Sequence, residues 1–458
     1  KTFHSMDDFI AERIRLTARA WAPKAKMALS GKSVIRDALR PAPFSDSIKK
    51  FLTTSSLSAV PTGINPMEIL DHSVKVTSLG EGGIPSDRAI PLDARMIHNT
   101  QFGALDPIRT PESSHSGVDI RATIAAHRDD RGNLYTVMKN LKTGKDEFVR
   151  SGDLSHMTVA FPHQQMVGKV DVFHNGEQAK VDASRATHQL NHLAHIYSPA
   201  TTLIPFIHSI QGNRAIMGSK MGTQALPLLE REAPLVQVRS HLPEGHSFEQ
   251  VYGHMIVPRA PVSGTVAKID KDYVWLRPHA EKNAGVKSFP GGHKVRYSVE
   301  KTAADEKGLV KVPYHQFFPF PSKTYLHHDI GVKVGDTVKE GQRLGESNYT
   351  KNGTLALGKN LLVGYIPYYG YNSNDAVVIS EACAKKLTSE HMYREVYPLS
   401  SQIELNKEKH RMYYGTKYTP EAYGKLDSDG VIKKGARVNH KDPLVLGVTK
   451  QLVLGTDA

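Results

Sequence analysis

Cysteine is nearly absent: Cys383 is the single one in 458 residues. That excludes a disulfide framework within the chain and leaves too few ligands for a cysteine-based zinc site. It fits a reducing compartment such as the cytoplasm. No run of about 18 apolar residues occurs, so no transmembrane helix is expected. The start, Lys1-Thr2-Phe3, lacks Met and has no signal-peptide pattern, and it reads as a processed or partial product. The Gly-rich stretch Leu79-Gly80-Glu81-Gly82-Gly83 contains neither G-x-G-x-x-G nor G-K-[ST], so it is no nucleotide cradle by motif. Acidic residues are in deficit, 46 Asp and Glu against 59 Lys and Arg, giving a formal net charge of +13. That balance favours a polyanionic partner, nucleic acid first. The charge is dispersed, with no basic tail that would act as a tethering arm.

The length suggests about three domains. Residues 1–50 are expected to form an N-terminal helical segment. Ser5 and Asp8 can make a capping box, and Met6, Phe9, Ile10, Ile14 and Trp21 fall near helical spacing. Residues 51–130 are rich in Gly, Pro and Ser, and Pro107-Ile108-Arg109-Thr110-Pro111-Glu112 fixes a rigid path. Apolar runs at 134–138, 157–161 and 167–173 predict strands. Residues 183–232 read as mainly helical, with His188, His192 and His195 at i, i+4 and i+7 on one face, a possible metal constellation. A chain with 23 His also yields such triplets by chance. Two strands are expected around the Asp270-Lys271-Asp272 turn, and a Gly-punctuated hairpin over 334–342. Finally, two apolar runs, 361–367 and 376–379, read as buried strands flanking a tight turn that holds Asp375 outward. A carboxylate so placed can share a phosphate-bound Mg²⁺ ion. Equally, it can bond its own backbone.

Taken in order, these stretches resemble the β subunit of multisubunit RNA polymerases. Gly370-Tyr371-Asn372-Ser373-Asn374-Asp375-Ala376-Val377-Val378-Ile379-Ser380-Glu381 is similar to its G-Y-N-x-E-D-A-I-x-I-S-E signature. Leu79-Gly80-Glu81-Gly82-Gly83 resembles L-G-P-G-G, and Thr110-Pro111-Glu112 followed by Gly117 resembles T-P-E-G-P-N-I-G. Leu203-Ile204-Pro205-Phe206 and then Asn213-Arg214-Ala215-Ile216-Met217-Gly218 match L-I-P-F and N-R-A-L-M-G at the family's separation. Asn352-Gly353-Thr354-Leu355-Ala356-Leu357-Gly358-Lys359-Asn360 resembles N-G-E-L-A-L-G-x-N. Five collinear motifs are far more specific than one. Departures occur at Ser86, at Ser113-Ser114-His115 where the family has Gly-Pro-Asn, at Lys220 and Thr223, and at Asn374 where it has Glu.

The resemblance implies an α+β fold: a fork-like region over 51–130, a mixed region over 131–250 leading into the nucleotide-side helix, part of a double-psi β-barrel with β-hairpin insertions over 251–400, and the start of a flap-like region over 401–458. It implies nucleotidyl transfer by an assembled enzyme, with this chain as one piece of a split β subunit, as in the polymerases of giant bacteriophages. Arg214 would steady the incoming triphosphate, and Asp375 would sit near the nucleotide-associated Mg²⁺. Arg88, Glu112, Lys220 and Gln224 would line the RNA–DNA hybrid and nucleotide pocket. The family's K-M-A-G-R-H-G-N-K-G segment and the N-A-D-F-D-G-D loop of β′, which holds the catalytic Mg²⁺, do not occur here. The implied partners are therefore a β′-like chain carrying that three-Asp loop, a chain supplying the C-terminal half of β, the DNA template, the RNA product and NTPs, and no membrane. Two other classes stay open: a non-catalytic nucleic-acid-binding protein on a β-like scaffold, and a metal-dependent hydrolase built on the three histidines.

Overall fold

The computed structural model describes residues 3–30, 44–242, 245–280, 285–288, 294–302, 305–397 and 402–449. The chain divides into two compact units, Lys1–Met392 and Tyr393–Ala458.

The first unit opens with the helices Met6–Ser30 and Ser45–Thr54. The Ser5 backbone N–H donates to Asp8 Oδ2 at 2.8 Å, the reach-back half of the expected cap. Phe9 meets Phe51 with ring centroids 5.8 Å apart, and this contact packs the two helices together. The intervening residues 31–43 of the expected helical segment lie outside the described residues. The helix Pro66–Ser73 starts on Asn65, whose side chain accepts from Glu68 N–H at 3.0 Å, with Pro66 at the first helical position where its missing N–H costs nothing.

Two antiparallel-dominated sheets follow. The first has seven strands, among them Leu134–Asn140, Thr158–Ala160 and Lys169–His174, in agreement with the three apolar runs. Thr158–Ala160 pairs in parallel with His188–Leu190. Met138, Val149, Leu154, Val159 and Leu190 form the core on this sheet. The second sheet has six strands, with Gly264–Ile269 and Tyr273–Pro278 joined at the expected Asp270 turn. Alternate residues Val266, Val274, Leu276, Val310 and Val312 point inward and are fully buried, the period-2 signature of a half-buried sheet. The helices Gly212–Thr223 and Phe248–Ile256 also lie in this unit. The latter carries a full Ser247–Gln250 capping box.

The second unit pairs Ile403–Leu405 with Gly447–Thr449 and closes over Tyr423, Leu426 and Leu446.

Three expectations are corrected. Residues 183–232 contain one long helix, Gly212–Thr223; the rest is the short helix Pro199–Thr202, a strand, 3-10 turns and loops. Residues 334–342 are not a hairpin: Thr337–Val338 pairs with Gly264 and Thr265 instead, between turns that place Gly335 and Gly341 at positive φ. The runs 361–367 and 376–379 form no strands and are not buried. A strand needs a ladder partner for its N–H and C=O groups, and no described segment pairs with either run. The part of a double-psi β-barrel expected over 251–400 therefore lacks these two strands among the described residues.

Candidate functional site

The helix Gly212–Thr223 divides cleanly into two faces. Ala215, Ser219 and Thr223, at i, i+4 and i+8, are buried. Arg214, Lys220 and Gln224 are exposed. The buried face is locked from the fork-like side. Asn65 Nδ2 donates to the carbonyls of Gly222 at 3.1 Å and Ala225 at 2.8 Å, satisfying acceptors that the helix end would leave open. One fully buried Asn thus caps the N-terminus of Pro66–Ser73 and ties down the C-terminus of Gly212–Thr223. On the exposed face, the Arg214 guanidinium approaches only Met217 Sδ, at 3.8 Å, among the described residues. No carboxylate there pairs with it, so it remains available for an anion.

Beneath lies a buried ionic cluster. Arg109 grips Asp71 with Nε–Oδ1 and Nη2–Oδ2 both at 3.0 Å. Arg121 reaches the same Oδ2 at 3.0 and 2.8 Å. Arg109 Nη2 also donates to Thr223 Oγ1 at 3.4 Å. Asp106 accepts from the N–H groups of Ile108, Arg109 and Ser198. These contacts join the Pro66–Ser73 helix, the Pro107–Glu112 loop, the strand Asp119–Arg121 and the Gly212–Thr223 helix. In a low-dielectric interior such a cluster is costly unless every lone pair is matched, and here the Asp71 oxygens accept four donors.

Arg88 and Glu112 are both exposed, Arg88 on the 3-10 turn Asp87–Ala89. The following loop is held by Arg95 Nη1, which donates to the carbonyls of Ser114 and Ser116, and by Gly117 N–H to Thr110 Oγ1 at 2.8 Å.

Asp375 stands elsewhere, on a strap anchored at its ends. At one end Lys359, almost wholly buried, pairs with Glu232 at 2.9 Å, and Asn360 donates to Glu232 through both its backbone and its side chain. The hydrogen bonds from Lys359 and Asn360 hold the Glu232 carboxyl down to about 2. At the other end Glu390 N–H bonds Pro227 O and Met392 N–H bonds Lys323 O. Between them the strap is bare: Tyr365 is 97% exposed and Val377 81%. Its turn is shaped by Asn372, which accepts from Tyr368 N–H at 3.0 Å and donates to Ile366 O. Tyr369, Gly370, Asn374 and Asp375 all have positive φ. Asn and Asp tolerate that region best among residues with a side chain, which accounts for the turn chemistry. The Asp375 carboxylate has no partner among the described residues, so the self-bonding alternative is not what forms. Nor does any hydrogen bond join residues 361–379 to the Arg214 helix or the fork-like region.

The histidine triplet fails as a helical face. His188 lies on a strand and bonds Glu147 Oε1 at 2.6 Å. His192 caps a 3-10 turn through Nδ1, and His195 lies within that turn, where burial pushes its pKa down to about 4. Among the described residues no group of three His, Cys, Asp or Glu can hold a metal ion. No helix there is long and apolar enough to cross a membrane.

Comparison with known proteins bears on both regions. The family "RNA polymerase Rpb2, domain 3" matches residues 60–126, and "RNA polymerase Rpb2, domain 6" matches residues 317–456. The DNA-directed RNA polymerase subunit beta of Borrelia turicatae is 27% identical over 450 residues, which is 93% of this chain. That of Thermus thermophilus is 28% identical over 453 residues, 94% of this chain. That of Treponema denticola is 29% identical over 432 residues, 90% of this chain. Over most of its length this chain is similar to RNA polymerase β subunits. It spans 36% and 37% of the length of the first two relatives. The similarity fits a mixed α/β chain, and the domain 3 match covers the ionic cluster apart from Ser198 and Thr223, while the domain 6 match covers the strap.

Sequence reasoning missed Asp71, Arg109 and Arg121. Their separations of 38 and 50 residues leave no local pattern. Asn65 was within reach, because Asn before Pro is a helix-start signal in its own right.

Proposed function

We propose that this chain forms part of the β side of a DNA-directed RNA polymerase, as a split β subunit that lines the RNA–DNA hybrid and helps bind the incoming NTP. The observation that carries the reading is the two-faced helix Gly212–Thr223: one face is fixed in the fold, and the other offers Arg214 without a protein counter-ion. A guanidinium can grip triphosphate oxygens in a fork, and the fixed helix beneath it sets where that fork is presented. Lys220 and Gln224 extend the same exposed face toward the nucleic acid. Arg88 and Glu112 border the hybrid from the fork-like loops.

Asp375 fits a shared Mg²⁺ ligand and not a resident site: a single exposed carboxylate with free oxygens, beside Asn374 rather than a second acid. The ion, when bound, neutralises phosphate charge. A β′-like partner with the three-Asp loop supplies most of its ligands, and a further chain supplies the rest of β. The strap's bare apolar residues are the surface those chains cover.

In the assembled enzyme, Arg214→Ala should raise the apparent NTP KM about 10- to 100-fold, the scale of hydrogen bonds to a charged group. Asp375→Ala should slow RNA extension. Unchanged kinetics in both variants would remove these residues from the site.

A further inference from the structure

His115 occupies a position between two carboxylates. Its Nε2 lies 2.7 Å from Asp87 Oδ2 and its Nδ1 3.3 Å from Asp119 Oδ2. A neutral imidazole has one N–H, so it can donate to only one of them and turns a lone pair toward the other. The imidazolium donates to both.

The two carboxylates differ in anchorage. Asp119 is buried and pairs with Lys75 at 2.9 Å, and it opens the strand that ends in Arg121 of the ionic cluster. Asp87 is exposed and opens the 3-10 turn that carries Arg88, a turn with no buried residue and no side-chain cap. Among the described residues, the bond to His115 is the one side-chain hydrogen bond joining Asp87–Ala89 to the rest of the chain. Arg95 fixes the backbone on both sides of His115 through Ser114 O and Ser116 O, so the ring is carried on a held segment.

We propose that His115 is a positioning residue that bridges the Arg88 turn to the Asp119–Arg121 strand when both its nitrogens are protonated, and loses that bridge, keeping a bond to one side alone, when one proton leaves. The proposal rests on the reading of Arg88 as a contact to the nucleic acid, whose presentation would then be proton-linked. The Asp87 hydrogen bond raises the His115 pKa above the ordinary histidine value; burial opposes it, and Asp119 adds to it. Burial also pushes Asp119 up, but bonds from Thr77, Lys75 and His115 outweigh that and keep it ionised. The sign follows: the latch is complete below the ordinary histidine value and is lost as pH rises through the raised one.

Hydrogen exchange of the full chain, read by mass spectrometry over residues 86–90, tests the latch. Wild type and His115→Gln are compared at each pH, which cancels the intrinsic pH dependence of exchange. Near pH 6 wild type should be protected roughly tenfold over the variant, the scale of one charge-assisted hydrogen bond, and by about pH 9 the ratio should be several-fold smaller, because the neutral ring keeps one of its two bonds. A ratio that stays constant with pH, or equals one throughout, would overturn the latch. Binding of an RNA–DNA scaffold by the assembled enzyme tests the link to the ligand: His115→Gln should flatten a pH dependence seen in wild type, and equal slopes would overturn that link. Arg88→Ala should keep its latch exchange pattern. If it does so without weakening scaffold binding, the reading of Arg88 fails and the latch does not.

Discussion

Arg88 and Glu112 ride on loops cross-tied to a buried ionic cluster, whereas Asp375 rides on a strap tied only at Lys359–Asn360 and Thr388–Met392. The contrast lies in where the polar groups find partners. Across residues 60–126 the charged side chains that leave water are matched within the chain: Arg109 and Arg121 meet Asp71, Asp119 meets Lys75, and Glu68 and Asp106 accept N–H and hydroxyl hydrogen bonds. Across residues 361–379 the side chains are largely apolar and stay in water, with backbone groups outside any ladder. The first region is self-sufficient. The second has the composition of a buried strand pair without the neighbour that would bury it, and an exposed patch of this kind marks an interaction surface.

The largest effect should come from removing the centre of the self-sufficient region. Asp71→Ala leaves two buried guanidinium groups without a counter-ion and should cost about 3–5 kcal/mol in chemical denaturation of the first unit. Asn65→Ala, which loses one cap and the tie to Gly222 and Ala225, should cost about 1–2 kcal/mol. A comparable loss from both would show that the cluster is no keystone. The smallest effect on folding should come from the strap: Leu362→Ser with Tyr365→Ser should change the stability of the isolated chain by less than about 0.5 kcal/mol, since neither side chain is buried. The same double variant should, however, weaken capture of partner chains. A large destabilisation of the isolated chain would mean that the strap is part of its core.

Local signals carried much of the fold. The apolar run at 134–138 and the Asp270-Lys271-Asp272 turn marked strands that formed, and Ser5 with Asp8 marked a helix start. The motif order led to the family. Three kinds of information were not local. Helical spacing of His188, His192 and His195 was an accident of counting, because the chain around them turns at Ala183–Arg185 and again at Leu193–Ile196. The Asp71 cluster depended on contacts across 38 and 50 residues. The runs 361–367 and 376–379 did look like strands, and in pattern they are; what they lack is a pairing partner, which no reading of a single chain supplies. Of the site itself, the exposure of Arg214 and Asp375 followed their motifs, while what positions Arg214 emerged only from the packing of Asn65 and Thr223 beneath it.

The central claim is that the bare strap and the exposed Arg214 face are completed by other chains into an RNA-synthesising site. The most direct test is gentle purification of this chain from its native source, with every co-purifying protein identified by mass spectrometry and the pool assayed for NTP-dependent extension on a primed RNA–DNA scaffold. The account predicts partners that carry N-A-D-F-D-G-D and K-M-A-G-R-H-G-N-K-G, together with extension. A lone chain, or partners lacking those segments in a pool that binds nucleic acid but extends nothing, would contradict it.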